Sequence, residues 1–467
     1  MKEWRLWFSP AFRQCLEGRR LLCLVDGEHY PPVVRDTVKR LEELSSQVVA
    51  LVFIGGTEKV ENAAEELAEA APGATLYPRD GGAGDRLELL QTALDETDAE
   101  AVVDLSDEPV VDYGDRFRLT SRALLNKVPY LSSDFAFTPP PLQDVLSKPS
   151  LSIIGTGKRV GKTAVGVSVA RLLKHEGWDP VVVCMGRGGP AEPHYVNTEE
   201  MTLDADTLLE VAEGGGHAAS DYWEDALLSR VPTVGCRRCG GGMAGTPVGG
   251  NVVAGAHVAE NTSHEFVIME GSGATFAPVR TDRRLVVVGA GQPLQNVLGY
   301  LGEYRLLTSD LALVTMCEEP IAGPDKVERL RDGILEINPD IQVALTVFRP
   351  EPLGSIEGER VFLATTAPES VARDIADSLE QDCDCKVSGI STNLSRRPAL
   401  REELDDGLED CSVLLTEIKA ASIDVAARAA KEKGARIVFL HNRLELVGGT
   451  VQDLEEAVLG LCRSAVW

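Results

Sequence analysis

No apolar run in this chain of 467 residues approaches the roughly 20 residues that a bilayer-crossing helix needs. A helical membrane protein is excluded on that ground. The opening segment, from Met1 to Arg20, carries charges where a secretory leader needs its apolar stretch, so the expected location is the cytoplasm. Positive charge is also scarce: 46 Lys and Arg stand against 73 Asp and Glu, a net charge of −27 at pH 7. Binding to nucleic acid or to an anionic lipid surface needs a positive face, so neither is expected as a partner. Any anionic ligand must instead be held by a local cluster of cations. The 10 cysteines are scattered, with only Cys236-Arg-Arg-Cys239 and Cys383-Asp-Cys385 as close pairs. Free thiols in a reducing compartment are expected, rather than a disulfide framework or a zinc site.

What the chain does have is an ordinary globular composition, 44% apolar and 25% charged. At about 150 residues per domain its length points to about three units, or two if one is a large α/β domain. Apolar runs alternate with helical patterns almost throughout, the sign of parallel βα units. Strands are expected at 21–25, 48–54 and 101–104, with a helix opened by proline around 33–44. Three prolines at 139–141 can neither continue a helix nor donate to a ladder, and they mark a boundary. A second block opens with a strand at 151–154 and a helix at 162–175 closed by Gly177. Further strands are expected at 180–185, 266–269, 285–288, 311–315, 341–347, 360–365, 386–390, 412–416 and 436–440. The expected fold class is α/β: an N-terminal Rossmann-like domain over 1–147, then a large doubly wound domain over 148–467. Between 186 and 263 the strand signal fades into glycine-rich polar sequence, too long for an ordinary connection. It reads as a functional insertion with helices near 204–213 and 221–230.

The sharpest motif is Gly155-Thr-Gly157-Lys158-Arg159-Val160-Gly161-Lys162-Thr163, set between a buried strand and an amphipathic helix. That is the context of a P-loop. Its glycines let backbone N–H groups curl around an anion, the helix start adds its positive end, Lys162 reaches the terminal phosphates and the Thr163 hydroxyl can ligate Mg²⁺. Gly157 to Thr163 are therefore the expected nucleotide-binding residues. The strict pattern puts its first glycine where this chain has Thr156. A P-loop also needs a metal-side carboxylate at the end of a neighbouring strand; the candidate is Glu270, in Phe266-Val-Ile-Met-Glu270-Gly-Ser-Gly273. Loop and acid together resemble the P-loop ligases typified by dethiobiotin synthetase and the cobyrinic acid amidases, which implies phosphoryl transfer from ATP to a small-molecule oxygen.

The insertion sets arginines among glycines: Met185-Gly-Arg187-Gly-Gly-Pro190 and Gly235-Cys-Arg237-Arg238-Cys-Gly-Gly-Gly242. Guanidinium offers a bidentate fork to phosphate or carboxylate, so a polyanion pocket is expected from Arg187, Arg237 and Arg238; simple pairing with surface acids is the plainer alternative. Asp221 and Asp225, four apart and on one face if helical, are each candidates for a second Mg²⁺ ligand. His217 is a candidate phosphate donor or proton shuttle. In the N-terminal block, 26–29, 55–59 and 104–108 each follow a strand and should cluster at the carboxyl edge of their sheet, where open α/β sheets bind ligands. Glu28, His29 and Lys59 there are either substrate residues or turn residues.

Taken with Leu24-Val-Asp26-Gly-Glu-His29-Tyr-Pro-Pro32, Ile54-Gly-Gly-Thr-Glu58-Lys59, Gly216-His-Ala-Ala-Ser-Asp221 and Thr416-Glu417-Ile-Lys419-Ala-Ala, these segments resemble the cyclic 2,3-diphosphoglycerate synthetase family from about residue 20 to about residue 445. The resemblance implies an ATP- and Mg²⁺-dependent ligase closing 2,3-diphosphoglycerate into a cyclic phosphoanhydride, with ADP and phosphate as the other products, and a homodimer. Lys162, Lys158, Arg187 and Glu270 would carry the catalysis, Thr163, Glu270 and Asp221 the metal, and Arg187, His217, Arg237, Arg238 and His29 the substrate. The alternatives are another P-loop ligase that activates a small anionic carboxylate, and a nucleotide-dependent switch, against which stands the lack of an Asn-Lys-x-Asp guanine reader.

Overall fold

A computed structural model of the chain describes residues 8–56, 62–78 and 84–466. Glu58 and Lys59 lie outside the described residues. The chain forms two compact units, Met1–Pro140 with Leu294–Thr308, and Pro141–Pro293 with Ser309–Trp467. Among the described residues no helix is long and apolar enough to cross a membrane.

The first unit holds strands β1 (Arg20–Val25), β2 (Gln47–Phe53), β3 (Thr75–Tyr77), β4 (Ala101–Asp104), β5 (Tyr130–Leu131) and β6 (Ala136–Phe137). Their order is β3-β2-β1-β4-β5-β6, parallel except for β6. Strands buried on both faces must be apolar at both parities, and these are. Leu21, Cys23 and Val25 pack into one core while Leu22 and Leu24 pack into the other. Helices therefore cover both sides. The one over Pro31–Glu42 opens with its two prolines where the missing N–H costs nothing.

The second unit is built on one 13-stranded sheet. In chain order its strands are β7 (Ser150–Gly155), β8 (Pro180–Gly186), β9 (His194–Val196), β10 (Thr233–Cys239), β11 (Gly249–Gly250), β12 (Phe266–Glu270), β13 (Arg283–Gly289), β14 (Leu311–Thr315), β15 (Gln342–Pro352), β16 (Arg360–Ala364), β17 (Lys386–Ser391), β18 (Val413–Thr416) and β19 (Arg436–Gly449). They lie in the order β11-β10-β8-β12-β7-β13-β14-β15-β19-β18-β16-β17, with β9 beside β10. From β10 to β15 the main path is parallel. β19 runs antiparallel to β15 from Ala344 to Pro352, then parallel to β18. One long ladder thus joins two parallel halves that point in opposite directions.

The stretch 186–263 departs from expectation. Its helices sit where the sequence puts them, at Ala205–Glu213 and Asp221–Ser229, but it also supplies β10, a strand in register with β8 from Thr233 to Arg237. The apolar run there is short and broken by Pro232 and Gly235, which hides it from a periodicity argument. The glycine-rich segment is therefore part of the sheet rather than an excursion from it.

Candidate active site

β7 ends at Gly155, and the chain turns through 156–161 into the helix Lys162–His175. Gly161 caps that helix at φ +82, and a Cβ there would meet Phe348 Cζ at 2.4 Å. Glycine is the residue that fits both demands. The loop is pinned from several sides: Gly155 N donates to Gly273 O (3.1 Å), Thr156 N to Val287 O (3.0 Å) and Thr315 Oγ1 to Val160 O (2.8 Å). Thr156, the departure from the strict motif, is buried, and its hydroxyl bonds Gln292 Oε1 at 2.5 Å. The side chain braces the loop from behind, where a glycine could not. No hydrogen bond joins the amides of Gly157, Lys158, Arg159 and Val160 to the described residues, so these N–H groups are available to an anion. Lys158 and Arg159 are exposed and Thr163 is half-buried in the first turn.

Beside the loop lies a buried group of acids. Glu270, last residue of β12, is in register with Ile153 of β7 and Cys184 of β8. Its Oε2 accepts from Lys162 Nζ at 2.5 Å. One turn along the helix, a Cβ on Gly166 would fall 1.7 Å from Glu270 Oε1, so the glycine makes the space that the carboxylate occupies. Asp225, from the helix Asp221–Ser229, completes the group: one ligand atom each from Cys184, Asp225 and Glu270 lie within 4.8 Å of one another, all buried. Burial and then the charge of Glu270 push the Asp225 carboxyl well above the carboxylate range. Burial raises Glu270 too, against the pull of Lys162. Burial alone would lower the Lys162 pKa, yet the charge of Glu270 lifts it above the ordinary lysine value. Both Asp225 oxygens and Glu270 Oε1 have no hydrogen-bond partner among the described residues. Buried acceptors without donors are costly, and a divalent cation would satisfy all three.

The arginines divide. Arg238 Nη2 donates to Ser272 O and Oγ (2.8 and 3.1 Å) and Nη1 to Gly240 O (2.5 Å). Burial and the like charge of Arg187 lower its pKa. Arg187 is itself exposed, with Nη2 3.1 Å from where a Cβ on Gly273 would stand. Arg187 and Arg238 therefore meet at the Gly-Ser-Gly turn after Glu270, against the P-loop. Arg237, one residue along β10 from Arg238, points to the opposite face and is exposed. His217 is exposed and lies against Gly188. Asp221 is exposed in the first turn of its helix; it is Asp225, not Asp221, that lies in the buried group with Glu270.

From the far half of the sheet, Lys419 follows β18 and brings Nζ to 3.5 Å from Glu224 Oε1. In the N-terminal unit, His29 Nδ1 lies 2.7 Å from the buried Asp26, whose other oxygen accepts from Asp107 N at 2.6 Å. That unit holds its own cavity of about 630 Å³, lined in part by Asp104, Arg116 and Phe117. Sequence reasoning passed over Gln292, Thr315 and Phe348, which set the shape of the P-loop. The available signal was the Gly289-Ala-Gly-Gln292 segment, small residues after a strand like those after Glu270.

Three family models match the chain: the N-terminal domain of cyclic 2,3-diphosphoglycerate synthetase over residues 20–138, its P-loop domain over 150–347 and its C-terminal domain over 352–443. Proteins named cyclic 2,3-diphosphoglycerate synthetase are similar over nearly the whole length. That of Methanothermobacter thermautotrophicus is 45% identical, covering 96% of each chain. That of Methanothermus fervidus is 44% identical, covering 96% of this chain and 98% of its own. That of Rubrobacter xylanophilus is 47% identical, with the same two coverages.

Proposed function

The chain belongs to the cyclic 2,3-diphosphoglycerate synthetase family, and from that premise we propose that it closes 2,3-diphosphoglycerate into its cyclic phosphoanhydride at the expense of ATP, with ADP and phosphate as the other products. The observation that carries the residue assignment is the P-loop with Lys162 against Glu270 and the unpartnered Asp225 beside them. An oxygen of one substrate phosphate attacks the γ-phosphorus of ATP; the bond to the bridging oxygen breaks and its electron pair leaves with ADP. The second substrate phosphate then attacks the phosphorus of the activated one, the new anhydride closes the ring, and inorganic phosphate departs. Both steps crowd like charges. Two unit charges at about 4 Å repel by about 4 kcal/mol at intermediate dielectric, so positioned cations supply most of the catalysis.

The free amides of Gly157 to Val160 and the ammonium of Lys162 receive the ATP phosphates, with Lys158 and Arg159 at the rim. Mg²⁺, when bound, supplies charge neutralisation there, and the residues that would hold it are Asp225, Glu270 and the Thr163 hydroxyl. Arg187 and Arg238 receive the diphosphoglycerate beside the Gly-Ser-Gly turn. His217, against Gly188, and Asp221 line the outer part of the same region, while Arg237, on the opposite face of β10 from Arg238, is left to a peripheral part in binding. We take the enzyme to work in the cytoplasm as a homodimer.

The test is ³¹P NMR of the protein with ATP, Mg²⁺ and 2,3-diphosphoglycerate. Upfield cyclic pyrophosphate signals should grow in step with ADP. Lys162→Ala should abolish both while the circular dichroism spectrum stays native. ATP hydrolysis without the cyclic signals would discard the substrate, and full activity in K162A would discard the site.

A further inference from the structure

Two lysines approach the acidic helix Asp221–Ser229 from different parts of the chain. Asp221, Glu224 and Asp225 are spaced i, i+3 and i+4, so their side chains share one face. Lys162 comes from the P-loop and meets the end of that face where Glu270 and Asp225 lie. Lys419 comes from the turn after β18 and meets Glu224. The Glu224 side chain is 7% exposed, that of Lys419 41%. The carboxylate is thus anchored, while the lysine side chain, which ends in an ammonium with three donors, stays partly exposed along its length. The turn that carries Lys419 is itself held: buried Glu417 accepts from Thr365 Oγ1 at 2.9 Å and Thr366 Oγ1 at 2.8 Å, and Ala420 sits at φ +52. The charge of Asp221, in the first turn of that helix, acts on both Lys419 and Arg238. A partly exposed lysine whose ammonium is held at one buried carboxylate, in a region that must receive a polyanion, is built for more than a surface ion pair.

We propose that Lys419 is a substrate-binding residue, whose ammonium receives one of the two phosphates of the diphosphoglycerate while Glu224 holds it in place. The inference rests on the ring-closing reading above and gives the C-terminal half of the sheet a part in it. Three acids on one helix face would repel the substrate, and Arg187 and Arg238 stand at the Gly-Ser-Gly turn. Lys419 supplies the cation on the helix side, so that each of the two phosphates of the substrate meets a positive group.

The experiment compares Lys419→Met and Lys419→Arg with the wild type. It reads steady-state ring closure against 2,3-diphosphoglycerate concentration and, separately, the binding of a fluorescent ATP analogue without the second substrate. A lost charge-assisted contact corresponds to a fall of about 50-fold in kcat/KM for the diphosphoglycerate. K419M should show that fall with nucleotide affinity within about twofold of wild type, and K419R should recover most of it. Wild-type kinetics in K419M would overturn the proposal, as would a parallel loss of both substrates that arginine does not restore, the mark of a merely structural ion pair. A wild type that hydrolyses ATP and forms no ring would instead sink the ring-closing reading. A wild type and K419M that close the ring equally well sink only the role of Lys419.

Discussion

At Gly166 one hydrogen atom decides whether the site can form. An alanine there would suit a helix better by about 1 kcal/mol, yet its methyl would fall on the Glu270 carboxylate. Gly166→Ala should therefore cost at least about 100-fold in turnover, since a displaced Glu270 no longer faces Lys162, and should raise the Mg²⁺ concentration needed for half activity. A Mg²⁺ titration of the ATPase rate checks this; an alanine variant with wild-type rate would place Glu270 away from the chemistry. Residues differ in how much of this the sequence discloses. Lys162 and Gly161 are legible because a P-loop is local: neighbouring amides must surround one anion, and the spacing is written along the chain. Asp225 is readable as one of two candidates on one helix face, and choosing it over Asp221 requires knowing which turn of the helix is buried beside Cys184 of β8. Thr156 looks like a defect in the motif and is a brace, because Gln292 lies more than a hundred positions away.

Among the elements, the ladder between β15 and β19 joins the two halves of the large sheet, and His441 lies within it opposite Glu351. The ring is buried, Nδ1 has no partner among the described residues, and burial, helped by the charge of Arg171, pushes its pKa down to about 4. The unfolded value is about 6.5, so between pH 6.5 and 4 the unfolded chain binds the proton that the folded one refuses. The stability tied to the neutral ring is complete above pH 6.5 and is lost as pH falls through that window, in total about 3 kcal/mol. Thermal melts at pH 7.5 and pH 5 should show a smaller acid loss in His441→Phe than in wild type. Equal losses would assign the acid limb to other groups. Most strands are legible as elements because parallel strands covered on both faces are continuous apolar runs. β10 is not, because it lies near the sheet edge, tolerates Gly235 against Tyr222, and ends in the charged residues Arg237 and Arg238.

For the whole molecule the dominant quantity is the net charge of −27. Self-repulsion on that scale destabilises the compact state, and salt screens it, with a Debye length near 10 Å at 0.1 M. The melting temperature should rise by several degrees between 0.05 and 1 M KCl in the absence of nucleotide. A flat or falling trend would mean that the surface ion pairs, such as Arg349 with Glu318, already balance the excess. The same charge makes the cations of the site scarce, which is why Arg187 and Arg238 are conspicuous in the amino-acid sequence.

The sequence by itself determined the α/β class, the alternation of strand and helix and the position of the P-loop. All of these follow from patterns of 2, 3.6 or a few residues along the chain. Only the tertiary structure decided that Asp225 joins Cys184 and Glu270, that Arg237 and Arg238 part to opposite faces, that the 186–263 segment contributes a strand, and that Lys419 reaches Glu224. Those facts depend on the order and direction in which strands lie side by side. Sheet order is set by packing between segments tens to hundreds of residues apart, and no local period encodes it.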